Sequence, residues 1–252
     1  MVTDSGYADV DGVHMYYETY GEGTPLILLH GGMLSIDLNF AGLIPTLAKK
    51  HRVIGVELQG HGRTADTDRE ITPAALASDV VGLLDHLGID RAHVLGHSMG
   101  GGVTMELAVS YPDRVRSVVP ISVSVRPDGM HEDLSDPSKF ATSPIMPTQQ
   151  DFMEFREEYL RLSPHPEHFD EFLARLSASN ADLKGWSDEQ LAGITAPTLL
   201  VQGDRDFTTN EHAALMQRLI PGSLLAILPN TTHMQVTRRA DLLLPMLDEF
   251  LD

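Results

Sequence analysis

Three residues at separate points of the chain could together make a nucleophile. They are Ser98 inside Gly96-His97-Ser98-Met99-Gly100, Asp206 in Gly203-Asp204-Arg205-Asp206, and His233 closing Pro229-Asn230-Thr231-Thr232-His233. A serine hydroxyl attacks a carbonyl only when a base takes its proton, and a carboxylate behind the base holds the imidazole in the productive tautomer. The G-x-S-x-G pentapeptide alone does not establish this, because a glycine-rich turn with an incidental serine has the same form. An aspartate after a strand is commonly a turn residue, and a histidine before a helix is commonly on the surface. The chemical reading rests on their joint occurrence in the order serine, acid, histidine, each just beyond an apolar run. Asp206 is the predicted acid, with Asp204 the alternative.

The glycines fit that reading. A nucleophile on a tight strand-to-helix turn has a strained backbone, and side chains two residues before and after it would collide, so Gly96 and Gly100 are needed. The turn sets Ser98 at a helix N-terminus, where free amides and the helix dipole favour negative charge, so the Met99 amide is a predicted oxyanion donor. His30-Gly31-Gly32 ends another apolar run, and Gly32 is predicted to give the second amide. A plain turn explains Gly31-Gly32 almost equally well, and Ser98 tips the balance. His30 itself is expected to be packed and hydrogen-bonded rather than catalytic.

The elements that must position these residues can be read from apolar periodicity. Residues 13–20 form an early strand, and Gly21-Glu22-Gly23-Thr24-Pro25 turns the chain into Leu26-Ile27-Leu28-Leu29. Similar short runs lie at 53–56, 92–95, 115–121, 198–201 and 224–228, as parallel strands covered on both faces require. Thr72 and Pro73 open a helical pattern through Leu76, Val80, Leu83, Leu84 and Leu87, and Gly88 follows its end. Alternating strands and helices imply a mostly parallel, doubly covered sheet whose ligand sites lie beyond the strands' carboxyl ends. The alternation breaks over 126–195, where a Pro- and Ser-rich stretch precedes two amphipathic patterns, one through Phe152, Phe155, Tyr159 and Leu162, the other through Phe169, Phe172, Leu173 and Leu176. These are the expected helices of an insertion.

In this order, His30-Gly31-Gly32, Gly60-His61-Gly62-Arg63, Gly96 to Gly100, Gly203 to Asp206 and His233 resemble the α/β-hydrolase superfamily across nearly the whole chain. The nearest look-alikes are small cytoplasmic esterases, enol-lactonases and cofactor-free perhydrolases. The resemblance implies a core of residues 1–125 and 196–252 and a helical cap, 126–195, inserted between the sixth and seventh strands. Two departures stand out. Glu57 and Gln59 occupy places where relatives usually carry Asp and Arg, and Gly32 replaces the common aromatic after His-Gly, which is expected to leave room beside the oxyanion site.

The expected substrate-facing residues are His97, Met130, Met146, Phe152, Phe155, Trp186 and Phe207, with no single reading for Trp186. His165, Glu167 and His168 could be imagined as metal ligands, but Pro-flanked loop histidines usually face solvent, and no metal is predicted. No G-x-G-x-x-G or Walker sequence follows a strand, so no cofactor is predicted. The absence of cysteine excludes a thiol nucleophile and disulfides. A formal charge of −18 disfavours nucleic acid and anionic membrane as partners. With no apolar run long enough for a signal peptide or a membrane span, a cytoplasmic location is expected. The expected function is hydrolysis of a small, neutral ester or lactone. Carbon–carbon hydrolysis, perhydrolysis and ligand reception on the same fold are the alternatives, and the oligomeric state stays open.

Overall fold

In a computed structural model of the chain, which describes residues 1–140, 142–181 and 185–252, eight strands form one sheet. They are β1 (Asp4–Val10), β2 (Val13–Tyr20), β3 (Thr24–Leu29), β4 (His51–Val56), β5 (Ala92–His97), β6 (Val115–Ile121), β7 (Leu199–Arg205) and β8 (Leu224–Thr232). Their order across the sheet is β1-β2-β4-β3-β5-β6-β7-β8, antiparallel at β1–β2 and β2–β4 and parallel from β4 onward. The helices are α1 (Ile36–Phe40), α2 (Ile44–Leu47), α3 (Pro73–His86), α4 (Met99–Ser110), α5 (Gln149–Leu162), α6 (Phe169–Ala181), α7 (Asp188–Ala192), α8 (Asn210–Leu219) and α9 (Ala240–Leu251).

Side chains alternate across the pleat, so β3 sends Ile27 and Leu29 into one hydrophobic cluster and Leu26 and Leu28 into the other. The first cluster is closed by α3 and α4, the second by α1, α2 and α9. All four leucine and isoleucine side chains are fully buried, which is why this strand reads as a continuous apolar run. The α3 helix starts as its sequence signals: the Thr72 hydroxyl accepts the Ala75 amide, Pro73 stands in the first turn, and Gly88 beyond the end takes φ +65°.

Strand β1 went unread in the sequence. It is an edge strand whose exposed face carries polar residues, and only Ala8 and Val10 are buried. Its hairpin partner is specified by Asp11-Gly12, both at positive φ, joining Val10 to Val13 in a two-residue turn. The β7 and β8 strands also run further than the apolar runs at 198–201 and 224–228, because Gly203 to Arg205 and Pro229 to Thr232 continue the extended backbone towards the sheet's carboxyl edge.

Between β6 and β7 lie α5, α6 and α7 with several short 3₁₀ turns. Phe172 and Leu176 of α6 point into the main core cluster, and so do Leu191 and Ile194 around α7. No helix among the described residues is long and apolar enough to cross a membrane.

Candidate active site

Ser98 stands between β5 and α4 with φ 54° and ψ −114°, a conformation that favours glycine and that the surrounding packing imposes. A β-carbon at Gly96 would run into the Gly100 carbonyl and Thr104, and one at Gly100 into the backbone of Leu29 and His30. Both glycines are therefore required by contact. The turn is held by the Ser98 amide donating to the Ile121 carbonyl at 2.8 Å and the Gly100 amide donating to the His30 carbonyl at 3.1 Å.

The loops after β7 and β8 bring the other two groups to this turn. His233 Nε2 lies 2.9 Å from Ser98 Oγ, and His233 Nδ1 lies 2.6 Å from Asp206 Oδ1. A carboxylate only accepts, so Nδ1 carries the proton and Nε2 is left to accept from the serine hydroxyl. Three further donors converge on Asp206: the Phe207 amide on Oδ1 at 2.7 Å, and the Ser122 hydroxyl at 2.5 Å and Gly203 amide at 3.1 Å on Oδ2. Burial alone would push this carboxyl up, but the His233 ring and these hydrogen bonds hold it below the usual carboxylate range. Asp204, the alternative acid, is exposed and accepts the Asn230 and Thr231 amides, each at 2.9 Å. It fixes the β8 loop and does not face the imidazole.

Gly31 runs against the nucleophile, for a β-carbon on it would lie 3.3 Å from Ser98 Cβ. Met99 is the first residue of α4, where a helix leaves its amides without intrahelical acceptors, and the Gly32 amide has no hydrogen-bond acceptor among the described residues. His30 is fully buried, donating from Nδ1 to the Gly31 carbonyl at 2.8 Å and accepting the Leu58 amide on Nε2 at 3.0 Å, the packed role expected of it.

Several pocket expectations need correction. His97 is 1% exposed and lies behind the nucleophile, between Asn39 Oδ1 at 3.2 Å and the His233 carbonyl at 3.1 Å, so it braces two loops rather than facing substrate. Burial and the neighbouring His233 push its titration down. Trp186 packs on the core and donates its indole N–H to Glu106 at 2.8 Å. Phe152 is 53% exposed, because the α5 stripe turns Phe155 and Tyr159 inward and leaves its first member outside. Met130 is also exposed, its backbone paired with Thr208. Phe155 is buried and Met146 half-buried in the segment between β6 and β7. Phe207 is stacked on the His233 ring with centroids 3.8 Å apart and planes 11° from parallel. The room expected beside Gly32 is taken by Leu176 of α6. His165, Glu167 and His168 bring ligand atoms within 4.8 Å of one another, all exposed.

Sequence reasoning missed Ser122 and Asn39. Ser122 directly follows β6 at φ 55°, on the same carboxyl edge that supplies Ser98 and Asp206, which marks its place though not its partner. Asn39 accepts the Gly31 amide at 2.7 Å and donates to Thr237 at 2.9 Å, and a lone asparagine in a short helix gives no sequence signal of that role.

Known proteins extend this picture. The family model for the alpha/beta hydrolase fold matches residues 24–142. The chain is 40% identical over 117 residues to the dihydrolipoyllysine-residue acetyltransferase component of the acetoin cleaving system of Cupriavidus necator, covering 46% of this chain and only 31% of that protein. It is 28% identical to the pimeloyl-[acyl-carrier protein] methyl ester esterase of Legionella pneumophila over 95% of this chain and 100% of that one. The solved 2-hydroxy-6-oxo-6-phenylhexa-2,4-dienoate hydrolase of Rhodococcus sp. strain RHA1 superposes with a TM-score of 0.81 at 21% identity, over 100% of this chain and 99% of that one. The mostly parallel sheet with its covering helices is that of the α/β-hydrolase fold.

Proposed function

We propose that the chain is a serine hydrolase that cleaves a carboxylic ester or lactone of a small, neutral substrate through an acyl-enzyme. The observation carrying this reading is the unbroken line from Asp206 through His233 to Ser98 Oγ, at 2.6 and 2.9 Å. Ser98 Oγ bonds to the carbonyl carbon while its proton passes to His233 Nε2. The carbonyl oxygen gathers the negative charge between the Gly32 and Met99 amides. His233 returns the proton to the departing alcohol as the carbon–oxygen bond breaks. Water then repeats the sequence on the acyl-enzyme, losing a proton to His233 and releasing the acid and Ser98. In this reading residues 126–195 form the cap over the site, and the chemistry needs no metal or cofactor.

A second reading, hydrolysis of a carbon–carbon bond, is favoured by the full-length likeness to a hydrolase whose named substrate is a ketone rather than an ester. The same triad serves either reaction with a different pocket. Hydrolysis of p-nitrophenyl acetate, butyrate and octanoate and of a small lactone, by the wild type and by Ser98→Ala, separates the two. Turnover abolished by the substitution supports the ester reading. A wild type inert on all four moves the weight to carbon–carbon hydrolysis.

A further inference from the structure

The bare face of Gly32 is not open. A β-carbon there would lie 3.3 Å from Leu176 Cδ2 and 3.9 Å from its Cγ, so α6 lays a leucine against the residue that the ester reading makes an oxyanion donor. One helical turn earlier, Phe172 fills the place a β-carbon on Gly60 would need and sits edge-on to His61, with centroids 4.9 Å apart. Residues four apart share a helix face, so two glycines of the core receive two successive side chains of α6. Leu176 is 4% and Phe172 1% exposed. Arg175, between them, fastens the helix to the 66–69 loop through Asp66 Oδ2 at 2.5 Å, the Thr67 carbonyl at 2.7 Å and the Arg69 carbonyl at 2.9 Å. Leu176 is thus held by its helix rather than free to swing.

The four substituents of the tetrahedral carbon have fixed directions. One is Ser98 Oγ, and a second is the oxyanion between Gly32 and Met99. The leaving oxygen must lie where His233 Nε2 can protonate it. The acyl substituent is left with the remaining direction, and Leu176 is the side chain packed against Gly32, the glycine that the ester reading places at the carbonyl oxygen. We propose that Leu176 is the residue that sets acyl size, walling this direction so that the enzyme takes short acyl groups and turns over long ones poorly. This rests on the ester reading above.

The test is kcat/KM for p-nitrophenyl acetate, butyrate and octanoate with the wild type, Leu176→Ala and Leu176→Phe. Truncation at a pocket wall typically changes discrimination between chain lengths by roughly tenfold or more. The octanoate-to-acetate ratio is expected to rise by about that factor in Leu176→Ala and to fall in Leu176→Phe. If both variants lose activity on all three esters in parallel, or keep the wild-type ratio, Leu176 is a packing residue and the proposal is overturned, with the ester reading intact. If the wild type cleaves no ester, rates of Ser98 labelling by methyl and octyl fluorophosphonates give the same ratio without turnover. Failure of any reagent to label Ser98 contradicts the nucleophile itself, and the proposal falls with it.

Discussion

Asp206 accepts from four donors, and each removal should weaken the site differently. Asp206→Asn leaves the shape but offers His233 Nδ1 an amide, favouring the wrong tautomer, and should slow turnover by roughly 10⁴-fold, as in serine proteases. Single-turnover rates of the purified variant check this; a loss below about tenfold would reassign the acid. Ser122→Ala removes one hydrogen bond to a charged group, worth about 1.5–3 kcal/mol, so kcat should drop roughly tenfold to a hundredfold with KM little changed. A raised KM at constant kcat would place Ser122 in the substrate pocket instead. That Ser98, Asp206 and His233 would come together was legible in the sequence, because the proposed chemistry needs particular residue types at strand ends. The braces were not: Ser122 and Asn39 are ordinary residue types whose roles come from long-range neighbours, Asp206 in one case and Gly31, His97 and Thr237 in the other.

Among the elements, α6 has most at stake. Its apolar stripe was readable from the three- and four-residue spacing, but that pattern does not say which glycine each side chain meets. Phe172 is fully enclosed between Gly60, His61 and Tyr159, the last stacked on it at 5.5 Å. Phe172→Ala should cost about 3–5 kcal/mol in equilibrium denaturation, the usual range for a buried phenylalanine. A loss under about 1 kcal/mol would mean that α6 rests on the core without being anchored there. The parallel strands were visible as apolar runs because both faces are covered. β1 escaped since an edge strand with one buried face and few apolar residues leaves only an Asp-Gly turn as its mark. The α5 stripe was right in phase and wrong at its first member, because helical spacing does not tell where the neighbouring surface ends and Phe152 lies beyond it.

On the scale of the whole molecule, buried histidines govern the response to acid. Burial pushes His61 and His93 down to about 4 and His30 well below its ordinary value, and burial with the adjacent His233 lowers His97. The unfolded chain takes up protons near pH 6.5 that these rings refuse, so their contribution is full above that pH and is lost as pH falls towards about 4. Glu57 acts oppositely: burial raises it to about 7, so its contribution is full at low pH and lost as pH rises to that value. Burial raises Asp37 and Asp79 as well, but six lowered histidines outweigh these three carboxyls, and urea midpoints should fall steadily between pH 6.5 and 4.5, most steeply at the acid end. A flat profile would mean the imidazoles reach water in the native state. The charge of −18 was plain from composition, whereas the closing of Gly32 by Leu176 depends on a contact 144 positions along the chain (176 − 32) that no local pattern encodes. The most direct test of the central claim is intact-protein mass spectrometry during turnover of p-nitrophenyl butyrate, followed by mapping of the modified peptide. One butyryl group on Ser98, formed at the rate of an initial p-nitrophenol burst, is the predicted result. Hydrolysis that proceeds undiminished in Ser98→Ala, with no acyl group on the chain, would contradict it.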